Sequence, residues 1–312
     1  MKRLFAAAVL SVLGLSSNAY ATQYTLEAIE YPDSVWTRVN GINNKGHVVG
    51  AYSDGTTTHG YIYNENGFTT VDFPGAVQTS LEGINDSGKV VGWYNFNGQG
   101  IGYNTTYGFL YDNVAYFSVA FSGGNYGLGI PDDIAFNGIN NKDTAVGQYW
   151  VGGERGFTYD EGTISNQFGA YGEDINDNGV IVAHWVEPET QSWLIINGDF
   201  HDFNGLENVH ALDALGINNL GQVVGVLVGR EDFFSGNFIY DDEFKLLDLP
   251  GVVNDINDSG QIVGNAQFAY IATPSNSTAV TEPSSMILLG LAGAGIFAAH
   301  RYSRSDTGSR LA

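Results

Sequence analysis

The sequence predicts an all-β fold, a six-bladed β-propeller built from four-stranded repeats of about 40 residues. A short phrase, Gly or Asp followed by Ile-Asn, recurs six times and leads each time into an apolar, strand-like run. The composition suits a turn-dense β protein, with 15% charged residues, 42 Gly, 18 Tyr and 18 Phe. The isoleucines of the six phrases are Ile42, Ile84, Ile139, Ile175, Ile217 and Ile256.

Each phrase continues into a tight turn, which in the first repeat is Asn43-Asn44-Lys45-Gly46. Asn and Asp favour such turns because their side chains bond to nearby backbone amides, and Gly supplies positive φ. The next run, Val48-Val49-Gly50, is apolar on both faces, which indicates a strand buried between two sheets. Its last glycine recurs in five of the six repeats. We expect this glycine to allow close approach of a neighbouring sheet.

Further strand-like segments complete each repeat, such as residues 60–63 and 68–73 in the first. The last repeat lacks its final strand, and the chain begins with an unmatched one at residues 24–29. We therefore expect the first strand to complete the last blade and close the ring, which removes two exposed sheet edges. Six whole blades without this exchange fit the count equally well, and an open β-solenoid is the alternative architecture.

The repeats carry a resemblance to a known family. Residues 60–63 read Gly-Tyr-Ile-Tyr, residues 71–75 Val-Asp-Phe-Pro-Gly, and residues 83–88 Gly-Ile-Asn-Asp-Ser-Gly. This pattern resembles the HAF family of probable extracellular repeats. Asp143 replaces the turn glycine of the third repeat, and Ala183 replaces the strand glycine of the fourth. The resemblance covers roughly residues 24–272 and implies an exported repeat protein with no established activity.

The N-terminal segment, residues 1–21, has the pattern of a secretory signal peptide. Lys2 and Arg3 precede an apolar stretch at residues 4–15. Ala19 and Ala21 then form a small-x-small cleavage site. We therefore expect the folded repeat body to occupy residues 22–273.

The C-terminal segment resembles the PEP-CTERM sorting signal of Gram-negative bacteria. A polar linker at residues 274–285 contains Glu282-Pro283-Ser284, and residues 286–312 form an apolar stretch and a tail with Arg301 and Arg304. Thr281 stands where the motif has its first proline. The resemblance implies that an exosortase-type processing enzyme removes a hydrophobic helix, so that only the precursor is held in the membrane. An ordinary tail anchor is the alternative.

The charge distribution excludes one class of partner. The formal net charge of the chain is −22. Seven basic and 32 acidic residues lie outside the two end segments, so the body carries −25. Such a surface repels nucleic acid and anionic lipid, and no nucleic-acid partner is expected. The absence of cysteine excludes disulfides and thiol catalysis.

The sequence contains no recognisable catalytic motif, and we expect no cofactor. The acidic body leaves an isolated surface calcium ion as the alternative. His201 and His210 lie in one connecting segment near Glu207 and Asp213, and they are a weak candidate for a cation site. The Asn-Asp-x-Gly phrases lack the ligand ladder of a calcium loop, which favours turns. Candidates for stacking on sugar rings are the five tryptophans Trp36, Trp93, Trp150, Trp185 and Trp193.

These observations predict an exported, non-enzymatic protein of the cell surface or extracellular matrix, structural or adhesive in the envelope or in a biofilm. The alternative is a β-propeller that binds or degrades polysaccharide. An enzyme should concentrate its unusual polar residues at one mouth of the central channel, whereas a scaffold should have similar rims on every blade.

Overall fold

The computed structural model describes residues 23–96, 106–119, 134–150, 154–185, 191–203, 211–228 and 234–275. This part of the chain contains 24 β-strands and no helix. The strands are β1 (Tyr24–Ile29), β2 (Trp36–Ile42), β3 (Val48–Ser53), β4 (Thr58–Asn64), β5 (Gly67–Thr70), β6 (Gln78–Ile84), β7 (Val90–Asn95), β8 (Tyr107–Tyr111), β9 (Tyr116–Val119), β10 (Ile134–Ile139), β11 (Ala145–Trp150), β12 (Glu154–Asp160), β13 (Thr163–Phe168), β14 (Tyr171–Ile175), β15 (Ile181–Trp185), β16 (Gln191–Ile196), β17 (Asp199–Asp202), β18 (Ala211–Ile217), β19 (Val223–Val228), β20 (Phe234–Asp241), β21 (Glu243–Leu247), β22 (Val252–Ile256), β23 (Ile262–Asn265) and β24 (Ala269–Pro274).

The described parts of the repeats form five mainly antiparallel sheets, whereas the sequence predicts six. Four sheets have four strands each, in the orders β10-β11-β12-β13, β14-β15-β16-β17, β18-β19-β20-β21 and β1-β24-β23-β22. The first two repeats, β2 to β9, share one eight-stranded sheet because Thr58 of β4 pairs in parallel with Gln78 of β6. The β-propeller arrangement is therefore confirmed, but with four separate four-stranded blades rather than six.

The ring closes between the last repeat and the first. The Nδ2 amide of Asn257 donates to the backbone oxygen of Asn43 at 3.0 Å. The backbone N–H of Asp258 donates to Oδ1 of Asn44 at 2.8 Å. These contacts join residues 214 positions apart, so the open β-solenoid is excluded.

The first strand completes the last sheet, as the strand-exchange hypothesis predicts. Strand β1 pairs antiparallel with β24, from Tyr24 opposite Pro274 to Ile29 opposite Ala269. The side chain of Ile29 is 1% exposed and packs into the core between the last and first repeats. The exchange supplies the fourth strand that the last repeat lacks, and the alternative without it is wrong.

The glycines that recur in the second strand of five repeats allow a close contact different from the predicted one. A Cβ placed on Gly92 of β7 would collide with the backbone oxygen of Ser80 and lie 3.1 Å from Cα of Leu81, both on β6 of the same sheet. The pairing of β6 with β7 shifts register between Leu81 and Gly83, and such a bulge brings the two backbones together. The expected approach of a neighbouring sheet is therefore wrong at this position.

Close approach between neighbouring repeats occurs instead at the residue before each repeated isoleucine. A Cβ on Gly83 would lie 3.0 Å from Cα of Gly138 in the next repeat. A Cβ on Gly41 would likewise lie 2.6 Å from the backbone oxygen of Glu82. Glycine at these positions lets the innermost strands meet around the central axis.

The antiparallel strands give the ring two unlike faces. On one, the turn face, lie the tight turns that follow the repeated Ile-Asn and the hairpins that join the third and fourth strands of the first five repeats. The other, the mouth face, carries the remaining connections, so every internal segment outside the described residues joins strand ends on this face. Strand β24 ends on the turn face, because Thr273 and Pro274 lie beside the turn at Gly260 and Gln261. Loop length varies more among the mouth-face connections, from residues 169–170 to residues 120–133, than among the turn-face hairpins.

Both chain ends lie outside the described residues. They include the predicted signal peptide at 1–21, most of the linker at 274–285, and the predicted helix and tail at 286–312. Among the described residues, no helix has the length and apolar character needed to cross a membrane.

Gly92→Val should lower the free energy of unfolding by about 3 kcal/mol, because its side chain has no space beside the backbone of β6. Gly169→Ala is the matched control, since the nearest atom to a Cβ there is Cζ3 of Trp185 at 3.6 Å. Chemical denaturation followed by tryptophan fluorescence measures both. A loss below about 0.5 kcal/mol for Gly92→Val would contradict the contact.

Removal of residues 24–29 together with the preceding segment should expose the edge of β24 and cause aggregation or marked loss of stability. A chain lacking only residues 1–22 is the control and should melt as the intact repeat body does. Thermal unfolding and light scattering distinguish the outcomes. Equal melting of the two truncated chains would contradict closure by β1.

Candidate functional site

A ring of six buried asparagines closes the turn-face end of the central channel. Each Nδ2 amide donates to the backbone oxygen of the equivalent asparagine in the next repeat at 3.0–3.1 Å. The Oδ1 atom of Asn140, for example, accepts the amides of Lys142 and Thr144 in its own turn, each at 3.0 Å. One side chain therefore folds the turn and joins two repeats. The members are Asn43, Asn85, Asn140, Asn176, Asn218 and Asn257.

A second ring, formed by the next residue of each repeat, alternates Asn and Asp. Each backbone N–H donates to Oδ1 of the following member at 2.7–2.8 Å. Nδ2 of Asn141 also donates to Oδ2 of Asp86 and of Asp177, each at 3.0 Å. Asparagine amides thus separate the three negative charges. The members are Asn44, Asp86, Asn141, Asp177, Asn219 and Asp258.

Two carboxyl groups line the central channel next to these rings, on the side of the mouth face. Asp174 and Asp255 stand where the other four repeats have the glycine before the isoleucine. Oδ2 of Asp174 accepts the amide of Ile217 at 2.9 Å, and Oδ2 of Asp255 accepts the amide of Ile42 at 2.8 Å. Protein atoms surround both groups, although part of each side chain faces the narrow channel.

The channel opens on the mouth face into a pocket of about 200 Å³. Its walls are the residues two before each repeated isoleucine: Asn40, Glu82, Asn137, Glu173, Leu215 and Asn254. The three asparagines bridge repeats, because their Nδ2 amides donate to backbone oxygens of the next repeat at 2.6–2.9 Å. The two glutamates instead supply acidic groups to the pocket.

Glu82 has a perturbed acidity. Burial, with a smaller contribution from the charge of Glu173, raises the pKa of its carboxyl to about 7. Hydrogen bonds from Ser80 and Trp93 and the nearby charge of Arg38 act in the opposite direction but do not offset burial. Glu82 is therefore a carboxyl that can carry or release a proton near neutral pH.

Two acidic side chains, Glu173 and Asp213, lie beside His184 near the same pocket. Nδ1 of His184 lies 3.0 Å from Oε1 of Glu173 and 3.7 Å from Oδ1 of Asp213. Burial raises the pKa of Asp213 to about 6, the charge of His184 opposes this, and that of Glu173 adds to it. Two carboxylates around one imidazole favour a shared proton or a bound positive charge.

The departures from the repeat pattern fall into two groups. His184 lies at the mouth, with the acidic residues just described. Asp143 lies on the turn face at φ 65° and takes the place of the turn glycine. Its carboxylate forms a 2.5 Å ion pair with Lys89 and accepts Nδ2 of Asn85 at 3.0 Å. Asp143 therefore has a structural role, whereas the mouth collects polar groups that the fold does not require.

The structure does not bring the residues of the candidate cation site together. His201 is exposed on β17, and Asp213 lies beside His184. His210 and Glu207 lie outside the described residues. In the described ranges, no group of three or more His, Asp or Glu side chains is arranged to hold a metal ion.

The tryptophans differ in their surroundings. Trp36 and Trp185 are each 38% exposed at the mouth-face ends of their strands. Trp93 donates to Glu82, and Trp193 packs edge-on against Phe200 with ring centres 5.9 Å apart. The side chain of Trp150 lies outside the described part of the chain. Two of the five candidates therefore offer an exposed ring on the mouth face.

A family model described as the PEP-CTERM protein-sorting motif matches residues 279–301. The chain carries a PEP-CTERM sorting signal. This signal implies an exported protein that crosses the membrane and is recognised by an exosortase-type enzyme. The predicted residues Glu282, Pro283, Ser284 and Arg301 fall within the match, whereas Arg304 and the cleavage residues Ala19 and Ala21 do not. All seven lie outside the described residues, and their roles stay predictions.

No curated protein matches the sequence. Among solved structures, the chain is similar to one titled "YCF48 bound to D1 peptide", with 12% identity and a TM-score of 0.41. The match covers 83% of this chain and 85% of that one. A likeness of this degree says nothing about what this chain binds.

The acidic residues of the mouth and axis were missed by sequence reasoning. Glu82 and Glu173 occupy a position where three repeats have Asn, and Asp174 and Asp255 occupy a position where four have Gly. An alignment of the repeats that included the two residues before the isoleucine would have singled out all four as departures.

Proposed function

We propose that this chain is an exported, exosortase-sorted protein of the cell envelope whose mouth face binds matrix polysaccharide. Its role is adhesive or structural and non-enzymatic. The observation that carries the binding role is the concentration of unusual polar residues at one mouth of the channel. The six HAF-type repeats are distributed over four four-stranded sheets and one eight-stranded sheet.

The chemistry of the mouth suits a sugar ligand. Carboxylates and amides in a pocket of about 200 Å³ can accept and donate hydrogen bonds to hydroxyl groups. The exposed rings of Trp36 and Trp185 offer surfaces on which sugar rings can stack. A body of charge −25 repels anionic polymers, so the ligand is a neutral or amino-sugar polysaccharide.

Binding can be measured on an array of neutral, amino-sugar and acidic bacterial exopolysaccharides. Glu173→Gln and Trp185→Ala should each weaken binding about tenfold, the effect of losing a contact of about 1.4 kcal/mol. Leu220→Ala, at an exposed turn-face residue, is the control and should bind as wild type does. Binding that is strongest to acidic polymers, or equal in all variants, would contradict the proposed ligand and site.

The second candidate is a polysaccharide-degrading enzyme, and the protonation of Glu82 favours it. A carboxyl with a pKa of about 7 has the acidity required of a general acid at neutral pH. Release of reducing ends from a bound polysaccharide, lost in Glu82→Gln, would replace the non-enzymatic role with a catalytic one. Binding without release supports the first proposal.

Sorting can be tested separately from binding. Replacing Glu282 and Pro283 with Ala should block processing and leave the precursor in the membrane, whereas Arg301→Ser/Arg304→Ser should weaken membrane retention. Intact-mass measurement of the surface protein reads both outcomes. A wild-type surface form that still ends at Ala312 would identify an ordinary tail anchor and leave the binding proposal standing.

A further inference from the structure

The two aspartates on the axis occupy space that neighbouring repeats leave open. A Cβ on Gly138 would lie 2.5 Å from Oδ1 and 2.8 Å from Cα of Asp174. A Cβ on Gly216 would lie 2.6 Å from Cα and 2.8 Å from Oδ1 of Asp255. Each aspartate therefore lies beside the glycine at the equivalent position of the preceding repeat. Both carboxyl groups fit because that glycine has no side chain.

Each carboxyl group accepts one amide from its own repeat and one from the next. Asp174 accepts the amides of Ile175 at 2.8 Å and Ile217 at 2.9 Å. Asp255 accepts the amides of Ile256 at 2.7 Å and Ile42 at 2.8 Å. The two groups thus join the fourth repeat to the fifth and the sixth to the first, and the latter is the seam at which the ring closes.

The two carboxyl groups lie side by side at residues 216–217. Oδ2 of Asp174 is 2.9 Å from the amide nitrogen of Ile217, and a Cβ on Gly216 would lie 2.8 Å from Oδ1 of Asp255, which places the two carboxyls as hydrogen-bonding neighbours. A hydrogen bond between two carboxyl groups requires one proton, because two carboxylates are both acceptors. We propose that Asp174 and Asp255 share one proton and act as a pH-sensitive clasp that holds the ring together at these two seams. Loss of that proton leaves two like charges in contact on the axis and weakens both seams.

The surroundings do not neutralise the pair. The titratable and charged groups of the packed inner strands are Arg38 on β2, Glu82 on β6, Glu173 on β14, His184 on β15 and Asp213 on β18. The turn-face ring adds Asp86, Asp177 and Asp258. The acidic groups among these outnumber Arg38 and His184, so the local charge favours retention of the shared proton.

The direction of the pH dependence follows from the protonation of the pair. Burial raises the pKa of Asp174 to about 7, and burial together with the charge of Asp174 raises that of Asp255 well above its usual value. An unfolded aspartate has a pKa of about 3.9, so between that value and the folded value the folded chain holds a proton that the unfolded chain has lost. The stabilisation is complete below about pH 4 and is lost as pH rises through the folded values.

The test compares the pH dependence of unfolding in the full chain and in Asp174→Gly/Asp255→Gly, which restores the residue of the other four repeats. Between about pH 5 and 7, each proton that the folded pair holds and the unfolded chain has lost raises the unfolding equilibrium constant about tenfold per pH unit. The double variant should lose that part of the slope. Glu82→Gln and Asp213→Asn are controls, because their carboxyls also have raised pKa values but do not belong to the pair. They should retain the contribution of the pair.

An unchanged slope in the double variant would overturn the proposal. If the double variant does not fold, the infrared spectrum of wild type decides. At pH 6 it should contain the carbonyl band of a buried protonated carboxyl, and Asp255→Asn should alter that band, whereas Glu173→Gln should not. Absence of the band from wild type, or no change in Asp255→Asn, would show that the two aspartates do not share a proton.

Discussion

The ring of buried asparagines is the interaction on which the rest of the structure depends. Each side chain uses its Oδ1 atom to fold its own turn and its Nδ2 amide to reach the next repeat. Because the same residue performs both tasks in all six repeats, a turn cannot form without placing its amide toward its neighbour. A buried amide without a partner would be costly, so local folding and closure of the ring reinforce each other.

That constraint divides the molecule into two faces with different freedom. The turn face must keep the asparagine in register with its neighbours, and even the departure at Asp143 is held by an ion pair with Lys89. The mouth face carries no such ring, so its connections vary in length. The channel narrows toward the turn face and opens toward the mouth, which places the pocket where loops and strand ends differ between repeats.

The polar side chains of the channel also change from the turn face to the mouth face. The turn-face asparagines are neutral and fully paired, whereas the axis and mouth hold carboxyls with raised pKa values. Burial of several acids in one channel opposes ionisation, and only His184 and Arg38 offset it from the described strands. Four repeats have glycine where Asp174 and Asp255 stand, so the two axial acids are departures from the repeat pattern.

The sequence by itself determined the repeat number, the β class and the buried second strands, because turn chemistry and apolar pattern are local properties. It left the strand exchange of β1 open, and the pairing of β1 with β24 decided it. It also located the sorting signal, which is read as a linear motif. Only the tertiary structure decided that the strand glycines meet their own sheet, that Thr58 and Gln78 join the first two repeats, and that Asp174 and Asp255 meet on the axis. These features depend on distances between residues far apart in sequence, which follow from the closure of the ring.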